Sequence, residues 1–240
     1  MEFTKSPGVR IGLSIAVATG LYGVSFGALS VASGLDLWQT MALSLLLFSG
    51  GSQFAFIGVV GGGGSGAAAM SAASLLGIRN AVYAMQMNAL VRPRGWRKLL
   101  AAQVTIDEST ATASGQTDNL EQRRGFWTAG IGIYVLWNLF TAVGALLGNA
   151  MGDPAQWGLD GAAVAAFLAL LWPRLKAREP VAIAVVCAVV TLLAVPFVPA
   201  GIPILIAAAV AGALGWVSHG PADEGLEPDV DPYATREDHP

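Results

Sequence analysis

The sequence predicts an all-α polytopic membrane protein with about six to seven transmembrane or re-entrant helices. Of its 240 residues, 54% are hydrophobic and only 12% are charged, and the mean hydropathy is +0.59. Soluble domains carry about 25% charged residues, so the charge that a water-facing surface requires is missing. Several apolar runs also reach the length of about 20 residues that a helix needs to cross a bilayer.

The chain divides into a predicted transmembrane domain, residues 1–217, and an acidic tail, residues 218–240. The tail holds seven acidic residues, one basic residue (Arg236) and four prolines. A segment with so little apolar surface cannot offset the entropy cost of folding. We therefore expect a disordered tail, which the predicted topology leaves in the cytoplasm.

Two apolar segments open the chain, at about residues 11–32 and 38–60, and each is interrupted near one end by serines and glycines. These clusters occupy residues 23–34 and 48–54. Backbone that gives up regular helix at membrane depth is tolerated only against protein or a wet cavity, and transporters bind substrates at such places. The sequence thus predicts Ser/Gly-broken helices in the first half that hold a binding site.

A third segment, residues 67–90, is interrupted by Arg79 and Asn80 and precedes a basic loop at residues 91–98. Such loops are typical of the cytoplasmic side. Three full spans before this loop would place the N-terminus outside, whereas Lys5 and Arg10 favour the inside. One of the three segments is therefore expected to be re-entrant, and the polar stretch 77–88 is the preferred candidate.

The remainder alternates polar and apolar stretches. Residues 99–120 are too polar to face lipid, which favours a short packed helix or a re-entrant piece. Bases at residues 173–180 mark a second cytoplasmic loop. Four further spans are predicted, at residues 125–151, 161–172, 181–195 and 202–217.

The Ser/Gly clusters have two interpretations. Small residues four apart, such as Gly23 and Gly27, let helices approach closely. Alternatively, serine hydroxyls, a glutamine amide and freed backbone groups can bind the ammonium and carboxylate of a zwitterion without a buried charge. The candidate substrate-binding residues are Ser25, Gly27, Ser30, Ser49, Gly50, Gly51, Ser52, Gln53, Phe54, Arg79 and Asn80.

Three charged residues stand in weakly charged surroundings. Arg79 is expected either to pair with an acid, such as Asp107 or Glu108, or to hold a substrate carboxylate, because a charge at bilayer depth needs a partner or water. Asp107 and Glu108 are the candidate proton-coupling residues, and the alternative is that they lie on a solvated cytoplasmic face of a helix. A carboxyl group withdrawn from water keeps its proton at a higher pH, as a proton-coupled carrier requires.

Metal, cofactor and enzyme chemistry are not expected. The sole cysteine, Cys187, lies in an apolar run, and both histidines, His219 and His239, lie in the tail. This excludes a disulfide framework and a His-ligated metal inside the membrane. A serine nucleophile would also lack a histidine or lysine base in the apolar segments.

Three stretches resemble the AzlC family, the large subunit of bacterial branched-chain amino acid exporters. They are residues 23–35, residues 45–55 with the sequence Phe48-Ser-Gly-Gly-Ser-Gln-Phe54, and Asp107-Glu-Ser-Thr110. Arg79 stands at the expected place of the family's Asn-x-Arg-His pattern, but Gly77 and Asn80 depart from it. The resemblance implies proton-driven export of valine, leucine, isoleucine and methionine from the inner membrane of a bacterium, with a small AzlD-like membrane subunit as partner.

The residues alone indicate only a carrier with an uncharged polar site. A channel for small neutral solutes and a structural subunit of a transport complex remain the alternatives. A saturable flux that is sensitive to counter-flow would separate a carrier from a channel. Substitution of Gln53 or Arg79 in a complex that still assembles would separate a carrier from a structural subunit.

Overall fold

The computed structural model describes residues 6–151 and 175–218, with 156, 161, 164, 165, 168, 171 and 172 between them. The described residues contain helices and connecting turns. Two helices are long and apolar enough to cross a membrane. The elements are α1 (Pro7–Ala32), α2 (Leu37–Leu46), α3 (Gly51–Gly61), α4 (Gly66–Val91), α5 (Arg97–Gln103), α6 (Asp107–Ser114), α7 (Asn119–Met151), α8 (Arg178–Ala194) and α9 (Ile202–Ser218).

The centre of the fold is a parallel pair formed by α1 and α7. Ser6 caps α1, and Glu121 at the start of α7 accepts hydrogen bonds from the Ser6 hydroxyl and from Gly8 N, the latter at 2.9 Å. Further along both helices, a Cβ added to Gly27 of α1 would lie 2.1 Å from the carbonyl oxygen of Thr141 in α7. Only glycine permits this approach, so the small residues of α1 bring the two backbones into contact along most of their length.

The first hairpin consists of α2 and α3, which run antiparallel. It begins beside the C-terminal end of α1, where the hydroxyls of Ser30 and Thr40 are 2.7 Å apart. It returns to the same end, since a Cβ on Gly61 would lie 3.2 Å from Cβ of Ser33. Its tip, residues 47–50, lies near the middle of α1, because Phe54 in the second turn of α3 stacks on Tyr22 at 5.0 Å.

The second hairpin consists of α5 and α6 and enters from the other end of the α1–α7 pair. A Cβ on Gly125, near the start of α7, would lie 3.0 Å from Cγ2 of Thr112 in α6. The tip, residues 104–106, reaches further along α7, where Ile106 packs in one apolar cluster with Ile133. The two hairpins therefore meet tip to tip near mid-length of α1 and α7.

The helix α4 runs between the bases of the two hairpins. Its first turn approaches Gly201, before α9, and its last residue, Val91, packs with Ala101 and Phe126 at the base of the second hairpin. The order of long helix and hairpin thus occurs twice, as α1 with α2–α3 and as α4 with α5–α6, in opposite orientations. Both long helices have 26 residues.

Three sequence predictions need correction. The Ser/Gly cluster at residues 23–34 does not break the first segment, because Pro7–Ala32 is one helix whose small residues pack on α7. The stretch 77–88 is not re-entrant, because Gly66–Val91 is one unbroken helix. Residues 38–60 do not form one span, because α2 and α3 are separate helices that turn back on each other. Residues 97–114 form two short helices, the second hairpin, which fits both alternatives for residues 99–120, a short packed helix and a re-entrant piece. The predicted tail after Ser218 and half of the residues of the predicted span 161–172 lie outside the described residues.

Candidate functional site

A cavity of about 360 Å³ lies where the two hairpin tips meet the middle of α1 and α7. Binding sites for small molecules occupy about 300–1,000 Å³, so this cavity has room for a small solute. Each of the four elements contributes to the lining. The lining residues are Ala18, Thr19, Tyr22, Phe48, Ser49, Gly50, Gly51, Phe54, Ile106, Asp107, Glu108, Ile133 and Trp137.

Most of the wall is aromatic and aliphatic. Phe54 stacks on Tyr22 and meets Trp137 edge-on with ring centroids 6.3 Å apart. Behind them, Phe26 is fully buried and stacks on Trp137 at 5.9 Å. Aromatic pairs at these separations are favourable beyond the area they bury. This cluster forms a rigid apolar side of the cavity.

The polar side begins with the tip of the first hairpin. Gly50 has φ +58° and ψ −86°, a backbone conformation that residues other than glycine rarely adopt. Gln53 holds this turn in place, since its Oε1 accepts from Gly50 N at 3.0 Å and its Nε2 donates to Leu43 O at 3.3 Å. The backbone of Gly50 and Gly51 is therefore presented to the cavity without side chains.

Arg79 links the two hairpins from the middle of α4. Its Nη2 lies 2.8 Å from Oδ2 of Asp107 in the second hairpin. The same nitrogen donates to the carbonyl oxygen of Ser49 in the first hairpin at 3.5 Å, and Nε of Arg79 is buried without a partner among the described residues. The prediction that Arg79 pairs with an acid is therefore confirmed, and the acid is Asp107. One guanidinium thus joins both tips beside the cavity.

Two helices begin at the cavity, α3 at Gly51 and α6 at Asp107. The first N–H groups of a helix lack partners within that helix and carry partial positive charge. At α6 this charge is met by Asp107 and Glu108 in the first turn. The first turn of α3 contains no acidic residue, so the positive end of this helix, which begins at the cavity, has no carboxylate on its own helix.

Asp107 and Glu108 are the acidic groups of the lining. Asp107 is committed to Arg79, whereas Glu108 has no ion pair of 4 Å or less with any described residue. The described residues contain no cluster of three His, Cys, Asp or Glu side chains that could hold a metal ion.

The predicted substrate-binding residues fall into two groups. Ser49, Gly50, Gly51 and Phe54 line the cavity, together with both predicted coupling acids. The seven others lie outside the lining, and most of these have partners within the protein; Arg79, for example, pairs with Asp107. Ser30 contacts Thr40, Ser52 accepts from Ser49 at 2.8 Å, Gln53 braces the tip, Gly27 packs on α7, and Ser25 and Asn80 lie elsewhere.

Several lining residues escaped the sequence analysis. Tyr22, Ile133 and Trp137 occur in apolar helical stretches, where aromatic and aliphatic residues are expected whether or not they line a site. Ile106 lies in the polar stretch 99–120, in the turn before α6. Tyr22 lies one residue before the first Ser/Gly cluster, and Ile106 directly precedes Asp107. Proximity to those motifs is the signal that could have identified Tyr22 and Ile106, whereas Ile133 and Trp137 lie near neither motif.

Comparisons with known proteins support the prediction that this chain is a membrane protein. The profile of a family described as AzlC protein matches residues 14–151, which is more than half of the chain. An uncharacterized membrane protein of Helicobacter pylori is 24% identical over 184 residues, covering 73% of this chain and 80% of that protein. No solved structure gives a significant match.

Proposed function

Since the chain belongs to the AzlC family, a family of membrane transport proteins, we propose that it is the membrane subunit of a carrier that exports branched-chain amino acids. The observation that carries this proposal is the cavity between two opposed hairpin tips. It combines an aromatic wall with freed backbone and charged groups. Transporters place substrate sites where broken helices meet near the bilayer midplane.

The cavity suits a small zwitterion with an apolar side chain. The N–H groups at the start of α3 and the guanidinium of Arg79 can attract a carboxylate. The carboxylates of Asp107 and Glu108 can attract an ammonium group. The aromatic wall of Tyr22, Phe54 and Trp137 offers apolar contact to the side chain of valine, leucine, isoleucine or methionine.

The proposed coupling ion is the proton, and Glu108 is its proposed carrier. Glu108 lines the cavity without an ion-pair partner within 4 Å among the described residues, whereas Asp107 is held by Arg79. A carboxyl group can be neutralised by a proton where a fixed cation is lacking. Binding of substrate and proton in the same cavity would couple the two fluxes.

The proposed location is the inner membrane of a bacterium, with α1, α4 and α7 crossing and the hairpins entering from opposite faces. The hairpin helices have 7 to 11 residues. Such helices measure about 10–17 Å, which is about half of a hydrocarbon core of about 30 Å.

The distribution of basic residues supports this orientation. Residues 11–78 contain no lysine or arginine. The basic groups at Arg92 and Arg123 instead line one surface pocket at the N-terminal end of α1 and α7. The positive-inside rule makes this face cytoplasmic. Because the first hairpin does not cross, α1 and α4 return the chain to the same side, and the N-terminus and the basic loop 91–98 are both inside.

The proposal includes a small AzlD-like membrane subunit as partner, which follows from the family resemblance. The decisive experiment is efflux of labelled leucine from loaded cells that express the chain alone or with a candidate small subunit. Efflux that requires both proteins and stops when the proton gradient is dissipated is the expected result. Absence of efflux from both strains, with the protein inserted in the membrane, would refute the proposed substrate.

The same cells separate a carrier from a merely structural subunit. Phe54→Ala removes part of the cavity wall, so we expect a higher substrate concentration for half-maximal flux with an unchanged amount of assembled complex. Leu139→Ala, at an exposed position of α7, is the matched control. Equal flux curves for the two variants would indicate that the substrate site lies elsewhere.

A further inference from the structure

The two hairpins share one direct side-chain hydrogen bond within the described part of the chain, and Gln103 makes it. Nε2 of Gln103, the last residue of α5, donates to the carbonyl oxygen of Leu45 in α2 at 2.8 Å. The Arg79 bridge is a second polar link, but it passes through α4. The tips also share an apolar cluster that contains Phe48 and Ile106. Gln103 is therefore the residue of one hairpin whose side chain hydrogen-bonds directly to the other.

The acceptor is available because α2 ends here. In a continuous helix, the carbonyl oxygen of Leu45 would accept from the amide four residues later. The break at residues 47–50 leaves this oxygen free, and the hydroxyl of Tyr134 in α7 also donates to it at 3.3 Å. Gln103 thus binds a carbonyl oxygen that is free only while the first hairpin keeps its bent tip.

The position of this bond matters for access to the cavity. It joins the last turn of α2 to the last turn of α5, and the residues that follow each of these turns, Phe48 and Ile106, line the cavity. Movement of one tip away from the other would widen the cavity between them. Any such movement stretches the bond between Gln103 and Leu45.

We propose that Gln103 is a positioning residue that holds the hairpin tips together and sets how often the cavity opens. This rests on the proposed function in so far as the cavity is the transport site. Loss of one hydrogen bond of about 1 kcal/mol changes an equilibrium about five-fold. Removal of the donor therefore raises the open fraction about five-fold.

The test uses a single reporter cysteine. Cys187→Ala removes the native thiol, and Thr19→Cys places a thiol on α1 at the cavity wall. The rate of alkylation by a membrane-impermeant maleimide is measured in intact cells and in inverted vesicles. Gln103→Leu is expected to accelerate alkylation about five-fold from at least one face. Alkylation rates equal to those of the protein with Gln103, measured from both faces, would overturn the proposal.

A second glutamine provides the matched control. Nε2 of Gln122 donates to the carbonyl oxygen of Gln116 at 2.9 Å, a bond of the same type that does not join the hairpins. Gln122→Leu should leave the alkylation rate unchanged, and an equal acceleration would reduce Gln103 to a general stabilising role. Should Gln103→Leu fail to fold, Gln103→Glu keeps the shape but places a carboxylate oxygen against Leu45 O, and it must accelerate alkylation as well. Alkylation needs no substrate, so a rate change without leucine efflux would refute the transport proposal and leave the role of Gln103 intact.

Discussion

The ion pair between Arg79 and Asp107 allows a structural role of Arg79 to be separated from a role in binding. The perturbation is a double-mutant cycle with Arg79→Gln, Asp107→Asn and the combined variant. In the parent protein the charged atoms are 2.8 Å apart, and the two side chains are 27% and 17% exposed. Each single substitution leaves one charge without its partner, whereas the double substitution removes both.

The expected magnitude lies between two known limits. Breaking a buried pair costs about 3–5 kcal/mol, and an exposed pair is worth about 0.2–1 kcal/mol. Because both side chains keep some exposure, we expect each single variant to lose about 2 kcal/mol of unfolding free energy. For a chain of this size this corresponds to a decrease of about 4–8 °C in the melting temperature. The double variant should lose clearly less than the sum.

The assay combines thermal unfolding of the purified protein with leucine efflux. If Arg79 also attracts the substrate carboxylate, the double variant regains stability but not flux. A coupling free energy below about 0.5 kcal/mol would refute a stabilising pair. Recovery of flux in the double variant would show that the ion pair is the whole role of Arg79.

The pair of Arg124 with Glu121 serves as the control. It has the same 2.8 Å separation and nearly the same exposure, 25% and 17%, but lies at the start of α7. Pairs three residues apart on a helix contribute about 0.2–0.5 kcal/mol. Arg124→Gln should therefore change both stability and flux little, and a loss of flux equal to that of Arg79→Gln would mean that position at the cavity is not decisive.

Three further predictions follow from the same geometry. Gly27→Ala should abolish folding or lower the melting temperature by more than about 4 °C, because its Cβ would lie 2.1 Å from Thr141 O; Gly58→Ala, with no atom within 4 Å, should match the parent in the same thermal assay. Gly50→Ala should cost about 1–3 kcal/mol through its backbone conformation, and a stability equal to that of Gly58→Ala would contradict the assigned strain. Glu108→Gln should flatten the pH dependence of leucine efflux, since its amide cannot carry the proton; an unchanged pH profile would remove Glu108 from coupling.

Of the interruptions that the sequence predicted, the structure contains the one at residues 48–54, whereas α1 continues through the Ser/Gly cluster that begins at residue 23. Phe48-Ser-Gly-Gly-Ser-Gln-Phe54 indicated an interruption, which the turn at Gly50 confirms. The direction that the chain takes after this interruption depends on contacts with another helix, such as those of Thr40 with Ser30 and of Gly61 with Ser33. Local composition contains no information about these contacts.

At α4 the sequence predicted an interruption that the structure does not contain. The polar residues of the stretch 77–88 suggested a turn, yet the helix continues through Arg79. Asp107 and the carbonyl oxygen of Ser49 provide partners for this side chain in place. A charge with such partners needs no break in its own helix. The partners lie 28 and 30 residues away in sequence, so the pattern around Arg79 could not reveal the pairing.

The Ser/Gly clusters show why the candidate site could be predicted only in part. Close approach of two helices requires residues without large side chains, and exposure of backbone to a solute requires the same residues. Gly27 serves the first purpose, because Thr141 occupies the space that a side chain would need. Gly50 and Gly51 line the cavity at a helix end, and under the proposed function they serve the second. A sequence records only that the side chain is absent, and the neighbour that fills the space determines which purpose applies.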